Sequence, residues 1–453
     1  MRRWISTLGA LLSGGLLAFG LVAPAGADWT AYHEGGALSA ADHTSGRAAP
    51  LKAAWKAAGL NGTVWSEPLV YHGLVIVATE ANDIYAFRER SGARVWHARL
   101  GAPVPASALP CGDISPTVGI TGTPVIDPRT GTLYAVADLR SGASARHTLF
   151  ALSARTGRRR FARSVEPPSN PLSQLQREAL ALDHGRVLVG LGGNDGDCAQ
   201  YRGFLVSAPA GNRGANTIYA VPTRREGAIW SAGGAPAVDR SGNVFVPTGN
   251  AANGPGQAYD HGDTLEKLSP TGVQRDFWAP ASWARDSAAD ADLGSVSPVL
   301  LPGHLVYQGG KNGRGYLVST RHLGHIGGEL FSAPVCTSFG SDAYASGTLF
   351  VACTEGVHAL TVNTAAPRFV NRWAGPSDAD GPPILAAGRV WVTSTSDSVL
   401  YGLDPRTGAV RTRQSTPTME HFSTPAASGG RLFLATGQTL NAYTIGTAAS
   451  RRR

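Results

Sequence analysis

The chain has 453 residues, 57 of them glycine and 29 proline, and only 16% are charged, a composition that suits many short strands joined by tight turns. The formal net charge of +8 is partly held by Arg2, Arg3 and Arg451 to Arg453 at the two ends. No basic stripe interleaved with aromatics runs along the chain, which argues against a nucleic-acid partner.

Arg2 and Arg3 precede an apolar run from Leu8 to Val22, and Ala25-Gly26-Ala27 offers small residues where a signal peptidase reads. This is the layout of a secretory signal peptide, with cleavage expected after Ala27, and the run is too short for a comfortable membrane span. No cysteine follows the cleavage point, and no later segment is apolar for long enough to cross a bilayer. The expected organisation is a signal peptide over 1–27, one repeat domain over 28–447 and a basic tail over 448–453, giving a secreted, extracellular monomer. Cys111, Cys198, Cys336 and Cys353 are the four cysteines, an even number that in an exported chain favours two disulfides. Three pairings are open; proximity in the chain favours Cys336 with Cys353, which leaves Cys111 with Cys198. None of the spacings is a C-x-x-C zinc pattern.

From residue 68 onward a unit recurs. Pro68-Leu69-Val70 begins an inner strand, Gly73 turns it, Leu74 to Thr79 alternates, Ile84 to Phe87 follows, Ser91-Gly92 turns again, and Val95-Trp96 belongs to an outer strand. Period-2 alternation with β-branched and aromatic enrichment marks these as strands. The second copy runs through Pro124-Val125-Ile126, Leu133 to Val136, Leu149 to Leu152 and Thr156-Gly157. A looser third copy starts at Ala179 and ends with Ile218 to Val221, and a fourth opens at Pro236-Ala237-Val238 and ends near Phe277-Trp278. The fifth carries Pro298-Val299-Leu300 and Tyr316-Leu317-Val318, and the sixth carries Leu349-Phe350-Val351 and closes at Trp373. The seventh spans Pro383 to Gly408, and the eighth, from Pro425 to Tyr443, lacks an outer strand. Leu51 to Ala57, with Trp55, has no copy of its own, so it is expected to complete the eighth and close the ring. Closure leaves only short, protected sheet edges. The fold expected is all-β: an eight-bladed propeller of four-stranded antiparallel blades.

This unit resembles the pyrroloquinoline-quinone (PQQ) repeat of quinoprotein alcohol dehydrogenases and of related propellers that carry no cofactor. The segments 109–113, 119–124 and 292–295 are similar to those of secreted PQQ-like propellers without assigned chemistry. The resemblance specifies fold more sharply than function.

A quinone site, if the resemblance extends that far, implies calcium on hard oxygen ligands, a carboxylate base, a flat platform and a cation for the quinone. Asn250, in Thr248-Gly249-Asn250, matches the place of an amide that binds calcium; Lys311, in Lys311-Asn312-Gly313, matches a lysine that contacts the quinone; and Trp230 is the candidate platform. The family's catalytic Asp falls in a stretch that here reads Pro280-Ala281-Ser282-Trp283, without a carboxylate. Asp286, Asp290 and Asp292 follow closely and are the candidate catalytic bases, Asp292 also being a candidate metal ligand. Such a run of Asp also suits a solvated turn. The adjacent cysteine pair of the alcohol dehydrogenases is absent, as are a C-x-x-C-H haem site, a G-x-S-x-G elbow, an H-E-x-x-H motif and a phosphate loop. His72, His184, His261 and His421 are scattered among turns and read as surface or packing residues.

Two functions follow. The first is a binding or scaffold module presenting loops and an axial pocket to a protein, glycan or small molecule, without catalysis. The alternative is a PQQ- and calcium-dependent dehydrogenase of an alcohol or sugar. Convergence of Asn250, Asp292 and Lys311 on one axial face is the geometric condition that the alternative requires.

Overall fold

In a computed structural model, which describes residues 28–448, alternation of apolar and polar positions resolves into eight four-stranded antiparallel sheets arranged around a common axis. Blade 1 is Leu69–Tyr71, Leu74–Ala78, Asp83–Arg88 and Arg94–Arg99, and the next six blades repeat that order outward from the axis. The inner three strands are almost wholly buried and the outer strand alternates, as in Arg94–Arg99, where only Trp96 is buried. The eight-bladed, all-β expectation is met. Blade 8 takes its inner strands from Ala426–Ser428, Arg431–Thr436 and Thr439–Ala448 and its outer strand from Ser45–Ala58, which pairs antiparallel with Thr439–Ala448. The ring is therefore closed by the N-terminal strand, which is longer than the apolar core of the segment suggested.

The joints between blades repeat too. Trp55, Trp96 and Trp373 sit on outer strands, and each indole lies over a turn glycine of the next blade: Gly92, Gly157 and Gly408. A Cβ on any of the three would meet the indole at 2.6 Å, and all three have φ near +70° (69°, 68° and 71°). Glycine is thus required twice over, by backbone conformation and by contact. The indole N–H of each donates to a carbonyl of that neighbouring blade, at Glu89, Ala154 and Pro405.

A feature without a repeat signature lines the axis. Residues 29–44 travel round the channel, hydrogen-bonded to the inner strand of one blade after another. Trp29 exchanges bonds with Val70 of blade 1, and Thr30, Gly36, Ala37, Ser39 and Ala40 accept from Ile126, Val238, Leu300, Tyr344 and Leu385 of blades 2, 4, 5, 6 and 7. Thr44 then accepts from Gly429 of blade 8, and the chain passes into the closing strand. Inner strands leave one row of backbone groups facing the channel, and this belt satisfies them. Tyr32 and His33 are buried within it.

Both disulfides form, Cys111–Cys198 and Cys336–Cys353. Among the described residues, no helix is long and apolar enough to cross a membrane. The expected signal peptide and most of the basic tail lie outside the described residues.

Candidate functional site

Loops at one end of the channel surround a cavity of about 510 Å³. Turn chemistry places its polar side chains at strand ends: Asn250 follows strand Val244–Pro247, Lys311 follows Leu305–Gln308, and Asp290 and Asp292 flank the turn leading into blade 5.

Asn250, Asp290, Asp292 and Lys311 meet here. The Lys311 ammonium donates to Asp292 Oδ2 at 2.5 Å and lies 3.4 Å from Asp290 Oδ1. Asp292 Oδ1 accepts from the Asn250 backbone N–H at 2.9 Å, and the Asn250 side-chain amide donates to Asp290 at 2.7 Å. The buried Asn250 Oδ1 has no partner among the described residues. Burial raises the Asp292 carboxyl, and Lys311 opposes that shift. Burial would lower the Lys311 ammonium, but Asp292 and then Asp290 outweigh it and hold it charged. Asp263 lies behind this cluster; burial and Asp292 push its carboxyl well up, and Oδ1 accepts from the Leu293 N–H. Gly249 is compelled by the cluster, since a Cβ there would meet Asp292 Oδ1 at 2.7 Å.

Asp286 takes no part. It is buried on a short helix, Trp283–Ala288, accepting from the Ser282 hydroxyl and the Asn312 amide. It is a structural acceptor that ties the Asp loop to the Lys311-Asn312-Gly313 turn.

Trp230 lines the cavity as one end of an aromatic arc. It meets Phe339 edge-on at 5.5 Å, Phe339 meets Phe422 at 4.8 Å, and His421 joins Phe422 to Trp65. Lys311 lies 5.2 Å over Phe339 near one end. At the other end Arg177 lies 4.6 Å over Trp65 and 5.4 Å over Phe422. Arg177 is only 7% exposed, and among the described residues no carboxylate pairs with it and its Nε and Nη1 have no hydrogen-bond partner. Burial holds its guanidinium below the ordinary value, against the field of Asp113, Glu80, Asp195 and Glu420. Asp113 and the Asn194-to-Asp197 loop, tied together by the Cys111–Cys198 disulfide, also line the cavity.

Sequence reasoning missed Arg177, Phe339 and Phe422, and took His421 for a surface or packing residue. The signal available was Arg177-Glu178, a charged pair at the mouth of the apolar run Ala179 to Leu182.

The geometry does not suit calcium as it stands. Calcium takes six to eight oxygens. Here Lys311 already neutralises Asp292, Asp292 Oδ1 accepts from Asn250, and among the described residues Asn250 Oδ1 and, behind it, Asp263 Oδ2 are the buried oxygens of this cluster left without a donor. Among the described residues, the one group of three His, Cys, Asp or Glu ligand atoms within 4.8 Å of one another is Cys336, Cys353 and His358, whose sulfurs are in a disulfide.

A PQQ-repeat family model described as outer membrane protein assembly factor BamB matches residues 2–253, more than half of the chain. Comparison with curated proteins finds no match. Among solved structures, the quinohemoprotein alcohol dehydrogenase of Comamonas testosteroni is 14% identical with a TM-score of 0.70, over 94% of this chain and 82% of that one. A europium-containing methanol dehydrogenase is 15% identical with a TM-score of 0.68, over 92% and 91%. BamB from Moraxella catarrhalis is 16% identical with a TM-score of 0.57, over 89% and 99%. At such identities the likeness is one of fold, and the same propeller serves dehydrogenases and an assembly factor alike.

Proposed function

From the premise that this chain belongs to the PQQ-repeat propeller family just described, we propose that it is a secreted binding module whose axial pocket captures a small ligand with a flat apolar face and an anionic group. The observation that carries this is Arg177: a buried guanidinium with two unpartnered nitrogens, set at one end of an aromatic arc. The arc receives the flat face of the ligand, the guanidinium fork receives its carboxylate or equivalent, and the Asp113 and Asn194-to-Asp197 wall bonds to hydroxyl or amine substituents.

The dehydrogenase reading has one observation on its side, the convergence of Asn250, Asp290, Asp292 and Lys311. Against it stands the ammonium of Lys311 on the carboxylate that calcium would need.

The test follows tryptophan fluorescence from Trp65 and Trp230 while purified protein is titrated with PQQ, simple aromatic carboxylates and neutral sugars, with and without calcium. The proposal expects saturable binding of carboxylates without calcium and its loss in Arg177→Gln. Binding of neutral sugars alone, undiminished in that variant, would overturn it. Calcium-dependent quinone retention with dye reduction by an alcohol would place the dehydrogenase first.

A further inference from the structure

The cavity at the end of the channel is unbalanced in charge. Five carboxylates line it, those of Asp113, Asp195, Asp197, Asp290 and Asp292, against one arginine and one lysine. Asp290 and Asp292 engage Lys311. Arg177 has no such partner, although it lies in the field of Asp113, Asp195 and Glu420. Glu80 bears on Arg177 as well, but its Oε2 accepts from the Gly119 N–H and the Thr121 hydroxyl, and burial pushes the carboxyl up to about 8, so it is neutral at physiological pH.

The free carboxylates are held in place by their neighbours. Asp113 and Asp195 sit on the two loops that the Cys111–Cys198 disulfide joins. Ile114, beside Asp113, is buried with Val118 and Leu175, and Trp65, the ring under Arg177, packs at the edge of that cluster. Asn194, beside Asp195, is buried, and its amide donates to the Leu172 carbonyl at 2.9 Å. Asp113 and Asp195 themselves are exposed, and among the described residues their side chains make no hydrogen bond or ion pair. Carboxylates close enough for their charge to act on Arg177, but not paired with it, leave a gap between opposite charges. A ligand with a carboxylate alone fills only the guanidinium side of that gap and adds negative charge where there is already an excess. A head that carries an anion and a cation on one carbon fills both sides. The aromatic arc of Trp65, Phe422 and Phe339 runs beside the gap and takes a flat side chain.

We infer that the ligand of this cavity is an aromatic α-amino acid, with its carboxylate on Arg177, its ammonium on Asp113 and Asp195, and its ring on the arc. The inference rests on the reading of the cavity as a pocket for a flat anion, and narrows that ligand to a zwitterion.

The experiment titrates the purified protein by calorimetry at neutral pH with phenylalanine, with phenylpropionate, which lacks the amine, and with phenylethylamine, which lacks the carboxylate. Phenylalanine should bind at least about tenfold tighter than either of the others. In the double variant Asp113→Asn/Asp195→Asn, phenylalanine should weaken at least about tenfold while phenylpropionate tightens, because a repulsive charge is gone. Both positions are exposed, so the melting temperature should hold, and a melting curve checks that the variant is folded. Phenylpropionate bound as tightly as phenylalanine, or a preference for phenylalanine that survives in the double variant, overturns the zwitterion while the anionic-ligand reading stands. Phenylethylamine bound as tightly as phenylalanine, or no binding of any of the three, overturns both.

Discussion

Replacing Arg177 by methionine should stabilise the free protein while abolishing capture of an anionic ligand. The guanidinium is 7% exposed and leaves Nε and Nη1 unpartnered. Each buried unsatisfied donor costs about 1–3 kcal/mol. The contacts over Trp65 and Phe422, lost in the variant, return about 0.5–2 kcal/mol each. Methionine fills a similar volume and touches both rings through its thioether, so the balance favours the variant by about 2 kcal/mol. Unfolding entropy of about 2.1 cal/mol/K per residue over residues 28–448 is about 0.9 kcal/mol/K, which turns that gain into a rise of about 2 °C in Tm. Calorimetry of the ligand-free protein measures the shift, and fluorescence titration with an aromatic carboxylate measures the loss of binding. A fall in Tm with binding intact would show that Arg177 serves structure and that the reasoning about its unpaired nitrogens is wrong.

Lys311→Met should act in the opposite sense, because it strands the buried Asp292 carboxylate: a cost of about 3 kcal/mol and a drop of about 3 °C, absent from the double variant Lys311→Met/Asp292→Leu. Deleting residues 28–58 removes both the belt and the closing strand, so circular dichroism should show loss of the whole cooperative transition; a monomer melting at the original temperature would refute ring closure as the source of stability. Stability should fall from pH 5 to pH 9. Burial pushes Glu80, Glu178 and Asp342 up to about 8, so their contribution is fully present below the unfolded value near pH 4 and is lost as pH rises through 8. Burial alone would lower His147, but Asp138 and Glu166 push it up to about 9, and its contribution fades between pH 6.5 and 9 with the same sign. A Tm that climbs across this range would contradict the protonation states given to these four buried groups.

The sequence determined the propeller because its evidence is local and repeated. Alternation in segments such as Leu74–Ala78, a turn glycine at Gly92, Gly157 and Gly408, and a tryptophan at Trp55, Trp96 and Trp373 each report a contact within one blade or between neighbours. The missing eighth outer strand and the unassigned Trp55 segment likewise identified the closure. The resemblance to the PQQ repeat brought Asn250 and Lys311 to notice, and with them the Asp290 and Asp292 that follow the stretch lacking the family's carboxylate, but it could not separate these from Asp286, which a short helix turns another way. Only the tertiary structure could show that Arg177, Phe339 and Phe422, from three different parts of the ring, face one cavity, because side chains so far apart in the chain meet there only once the ring is closed. The same holds for the belt of residues 29–44, which has no periodic pattern because its backbone groups answer one blade after another and, between them, each other.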